Sequence, residues 1–138
     1  MKTVHFIVLI AAIAAVHMGL ILGNMVEPLS VNSSGNILFD VITFTALFYM
    51  GWYLSRAGLK KVALDGTIAV VASFLVLCAT VFIGHSMQRP VLGVNVASFN
   101  MIFVLLFFSG LVNIVLGVFF VVLGAWIALR FGPKRKKK

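Results

Sequence analysis

Four apolar runs long enough to cross a bilayer, separated by short turn-rich stretches, constrain this chain more than any other feature. They lie at approximately residues 4–23, 36–54, 67–84 and 99–129. A transmembrane helix takes about 20 consecutive apolar residues. In hydrocarbon each backbone N–H and C=O must be satisfied internally, and a helix does so within its own segment. The connecting stretches carry turn chemistry. Residues 24–35 contain Glu27-Pro28 and Asn32-Ser33-Ser34-Gly35, residues 56–66 contain Gly58, Asp65 and Gly66, and residues 86–98 contain Pro90 and Gly93. Composition agrees, since 62% of the 138 residues are hydrophobic and only 10% are charged. That leaves too little polar surface to cover a soluble domain of this size. The expected fold is an all-α membrane protein, a four-transmembrane-helix bundle. Residues 1–130 form its single domain and residues 131–138 a basic cytoplasmic tail.

The fourth run is too long for a straight crossing. Its 31 residues would reach ~46 Å at ~1.5 Å per residue, against a hydrocarbon core of ~30 Å. Two spans do not fit without a loop, so the helix is expected to tilt or to break near Ser109-Gly110, where Ser and Gly weaken it.

The formal net charge of +8 does not indicate nucleic-acid binding, because the charge is not spread over a folded surface. Six of the eleven Lys and Arg lie at 130–138. With four spans, Lys2, Arg56, Lys60, Lys61 and those six share one side, and Arg89 alone lies on the other. The asymmetry places the protein in the cell membrane with both termini cytoplasmic. Trp52, Tyr53 and Trp126 then fall at the inner interface, where aromatic belts form. The tail residues Lys134, Arg135, Lys136, Lys137 and Lys138 read as a topology anchor and as a contact for anionic lipid headgroups. A cleavable signal peptide is the competing reading of the start, with small residues at Ala12-Ile13-Ala14. The apolar run continues through Met18-Gly19-Leu20-Ile21-Leu22 to spanning length, which favours a first span.

Two helices carry small-residue ridges. Ala11, Ala15, Gly19 and Gly23 recur every four residues in the first span, and Gly110, Gly117 and Gly124 every seven in the fourth. Such ridges let helix backbones approach closely where lipid removes the hydrophobic drive for association. Asn113 lies beside the second ridge. Their plain use is packing within the chain's own bundle; their other use is self-association or docking to a membrane-protein partner.

Polar residues inside a membrane are costly, and so they are candidates for function. His17, Asp40 and His85 map to the outer half of the spans, with Met18, Met87 and Asn100 nearby. Imidazole with thioether suits Cu(I), and both serve haem iron as axial ligands. The plain alternative is gap-filling methionines and hydrogen-bonded histidines. The expectation is no cofactor, with copper or haem as the alternative. His17 and Asp40 lie at similar depth and are expected to pair.

Catalytic constellations are missing. The three carboxylates are Glu27, Asp40 and Asp65, and no phosphate loop, nucleophile elbow or zinc-protease motif occurs. The lone Cys78 reads as a small apolar core residue. The chain is therefore expected not to be an enzyme. It reads as a structural or accessory subunit of a membrane complex or homo-oligomer; the alternative is a small transporter or a metal- or haem-binding membrane protein using the outer His/Met/Asp set.

Overall fold

The computed structural model describes residues 2–29, 33–89, 91–92 and 99–132. It is all-helical, with α1 (Lys2–Leu22), α2 (Ser34–Leu54), α3 (Leu59–Ser86) and α4 (Phe99–Phe131). Each is long and apolar enough to span a membrane. A short 3-10 turn, Ser55–Ala57, joins α2 to α3. This is the expected four-helix bundle.

The helix ends follow from local chemistry. Ser33 caps α2, its hydroxyl accepting from the Asn36 N–H at 3.3 Å, which satisfies one of the free donors of the first turn. Gly58 adopts φ 90°, a left-handed conformation that costs glycine little, and turns the chain into α3. The other ends of α1 and α3 close alike. Met25 N–H reaches Leu20 C=O at 2.9 Å and Asn24 N–H reaches Ile21 C=O at 3.0 Å; Arg89 N–H reaches Gly84 C=O at 2.7 Å and Gln88 N–H reaches His85 C=O at 3.1 Å. Both are the paired closing bonds of a helix ending in a left-handed residue. Those residues are Asn24 (φ 57°) and Gln88 (φ 56°).

One boundary shifts from the sequence reading by about two turns, and one of the two alternatives for α4 is excluded. Helix α3 begins at Leu59 rather than near Thr67. Asp65 and Gly66 look like turn residues, yet both are buried inside the helix. Thr3 Oγ1 donates to Asp65 Oδ2 at 3.3 Å, and Gly66 faces Val121, which would lie 2.8 Å from an added Cβ. Packing against α1 and α4 overrides the turn propensity. Helix α4 is continuous through Ser109 and Gly110, so no break occurs there. Gly110 serves interhelical contact instead, with the Phe74 ring 2.6 Å from where its Cβ would be.

The helices form a square in which α1 and α4 occupy opposite corners and each packs on both α2 and α3. The closest partners are not consecutive in sequence. Helices α2 and α4 run parallel, with Phe44 stacked on Phe120 at 4.7 Å, Phe48 backbone against Gly124, and Gly51 against Val121 and Ala125 backbone. Helices α1 and α3 also run parallel, held by Thr3–Asp65 at one end and by Leu22 against Gly84 at the other. Helix α4 runs antiparallel to α3, and its glycines fit α3 side chains: Gly117 takes Val70 and Gly110 takes Phe74. The core lies where all four helices meet, at Ile10, Leu47, Met50, Val62, Ala69, Val70, Val121 and Ala125.

These directions gather Lys2, Arg56, Lys60, Lys61 and Arg130 at one end of the bundle, hereafter the basic end. Lys2 Nζ sits 5.2 Å from the Tyr53 ring centre, and the Arg130 guanidinium sits 5.2 Å from that of Trp126.

Candidate functional site

A connected, buried polar group lies toward the end opposite the basic one. His17 on α1 and Asn36 on α2 are each only 6% exposed, and His17 Nε2 lies 2.9 Å from Asn36 Oδ1. The Asn36 amide nitrogen donates to the Glu27 and Pro28 carbonyls at 3.2 and 3.0 Å. Those two bonds turn the amide oxygen toward the ring, so Nε2–H of His17 is the donor. Phe39, one turn along α2, stacks flat on the imidazole at 4.4 Å and 5°. The group ties α1, α2 and the connection between them, and it satisfies polar atoms that would be costly to leave open at this depth.

Asp40 is not the hydrogen-bonding partner of His17. It lies one turn beyond Asn36 and is exposed. Asn36 and Asp40 are four residues apart and share a helix face, but the bond to the ring is made by Asn36, and the carboxylate one turn along stays exposed. Met18 is a core side chain, packed with Ile21, Leu77 and Val81. His85, Met87 and Asn100 are exposed. Among the described residues, no three His, Cys, Asp or Glu side chains gather closely enough to hold a metal ion.

The two small-residue ridges have different fates. Gly110, Gly117 and Gly124 are buried and consumed by contacts to α3 and α2. The α1 ridge turns outward. Ala15, Gly19 and Gly23 are exposed, Ala11 is half-buried, and nothing lies within 4 Å of where a Cβ on Gly19 would be. Val8 and Val16 flank it, 61% and 56% exposed. Asn113 also points away from the bundle. It satisfies itself locally, its amide donating to Ser109 O at 2.9 Å and Ser109 Oγ at 3.3 Å. The tail residues Lys134, Arg135, Lys136, Lys137 and Lys138 lie outside the described residues.

Several contributors escape the sequence reading. Asn36 looks like a helix-start residue, and Gly51 and Gly66 belong to no repeat. The available signal was an isolated glycine within an apolar helical run, which usually has a packing reason. Arg89 is a third case: its guanidinium donates to Leu22 C=O at 2.6 Å, capping the end of α1.

Compared with protein-family models, curated proteins and solved structures, the chain matches none. The site and the fold therefore carry the functional reading by themselves.

Proposed function

We propose that this protein is a non-catalytic helical subunit of the cell membrane, docking through α1 onto a transmembrane helix of a partner, either another membrane protein or a second copy of this chain. The observation that carries the reading is the contrast between the ridges. Every glycine of the α4 ridge is used inside the bundle, while Ala15, Gly19 and Gly23 present a smooth face outward. A small-residue face gains little from lipid tails but much from a closely approaching helix, through dispersion and short interhelical contacts. The polar group at His17 and Asn36 supports the same reading, since its hydrogen bonds join this chain's own elements. In this proposal the basic end faces the cytoplasm, as the distribution of Lys and Arg favours.

The test is purification of the full chain in mild detergent beside its Gly19→Leu variant. The parent is expected to carry a stoichiometric partner or to run as an oligomer, and Gly19→Leu to lose it while unfolding at the parent's temperature. A Gly19→Leu protein that keeps its partner removes α1 as the docking face. Stoichiometric copper or a haem absorbance in the parent would replace the subunit reading with the metal-binding one.

A further inference from the structure

The basic end carries a groove that the α1 ridge does not explain. It lies along the first turns of α3, lined by Ala57, Gly58, Lys60, Lys61, Ala63, Leu64 and Thr67, a shallow depression of about 610 Å³ that is open on one side. Three observations fix its character. First, it is polar at one end only. Lys60 and Lys61 lie at the rim, followed within one helical turn by Ala63 and Leu64, the latter 62% exposed. At the far end the Thr67 hydroxyl is spent on the Ala63 carbonyl at 2.9 Å, so it leaves no open donor for a polar ligand. Second, the lysines lack counter-charge. The chain has three carboxylates; Glu27 and Asp40 belong to the opposite end, and Asp65 is buried and accepts from Thr3. Both lysines are exposed, and neither makes an ion pair among the described residues. Third, the space is open, with nothing within 4 Å of where a Cβ on Gly58 would be.

We infer that this groove binds one acidic glycerophospholipid of the surrounding leaflet. Its phosphate sits between Lys60 and Lys61, and an acyl chain runs over Ala63 and Leu64 toward Thr67. A charged rim followed by an apolar trough matches an amphiphile whose head meets water and whose chain meets hydrocarbon. A soluble anion would use only the rim, and a zwitterionic lipid would bring its own cation against the lysines. The inference does not depend on the docking role of α1, nor on which compartment the basic end faces.

The experiment is native mass spectrometry of the full chain released from nanodiscs of equal parts phosphatidylcholine and phosphatidylglycerol. The chain carries Gln at 134–138, so that the tail does not contribute. One retained phosphatidylglycerol is expected. Each surface lysine supplies about a fivefold attraction to anionic lipid, so Lys60→Gln with Lys61→Gln should weaken retention roughly thirtyfold. Ala63→Leu, which fills the trough and keeps both charges, should also reduce it. Glycerol phosphate in solution should not compete. Thermal unfolding of each variant confirms that the bundle is intact. Equal retention of phosphatidylcholine, retention unchanged by Ala63→Leu or by the double lysine variant, or displacement by glycerol phosphate would each overturn the inference.

Discussion

His17 Nε2 and Asn36 Oδ1 lie 2.9 Å apart, which makes an asparagine at the start of α2, rather than the aspartate one turn later, the residue that completes the buried histidine. The relationship can be measured. Asn36→Leu should cost about 1–3 kcal/mol, because it strands a buried ring nitrogen and frees two loop carbonyls. In a double-mutant cycle, His17→Phe and Asn36→Leu should couple by about 0.5–2 kcal/mol. Asp40→Asn should couple to His17→Phe by much less, since no hydrogen bond joins them. Unfolding in bicelles reads both cycles, and a larger coupling to Asp40 would reverse the assignment.

The glycines at parallel helix contacts should tolerate no side chain. A Cβ on Gly51 or Gly124 would run into the backbone of Val121 or Phe48, which cannot rotate away. Gly51→Ala and Gly124→Ala should each lower stability by about 1–3 kcal/mol or more. Gly19→Ala, with open space around it, should be neutral in the isolated chain. Thermal unfolding in detergent ranks the three, and a neutral Gly124→Ala would mean that α2 and α4 do not approach this closely.

Gln88 holds a left-handed conformation that disfavours a side chain. Gln88→Gly should therefore stabilise by up to about 1 kcal/mol, and Gln88→Val should destabilise by more than that. Both substitutions leave the Arg89 guanidinium in place. If Gln88→Gly lowers the unfolding temperature, the Gln88 side chain contributes more than its backbone strain costs.

Orientation is testable by reporter fusion. Fusions after Arg56 and after Lys138 should report the cytoplasm, and one after Asn32 the opposite side. The motive is that, among the described residues, Lys2, Arg56, Lys60, Lys61 and Arg130 gather at one end and Arg89 lies at the other. A cytoplasmic signal after Asn32 would invert the bundle while leaving its packing untouched.

The sequence by itself determined the number of helices, their approximate spans and the grouping of charge at one end. Each of these follows from a property summed along a single segment: apolar length against bilayer thickness, and the count of Lys and Arg per loop. Tertiary structure alone decided which helices pair. Spacing shows that α1 and α4 both carry ridges, yet only contact reveals that Val70, Phe74 and Phe48 fill the second while the first stays open. Asp65 and Gly66 have the composition of a turn and become helix because Thr3 and Val121 meet them there. Asn36 likewise ranks as a helix-start residue until α1 brings His17 to it. Segment properties are local and readable, whereas a buried polar atom or a bare glycine acquires its meaning from whatever the other helices place against it.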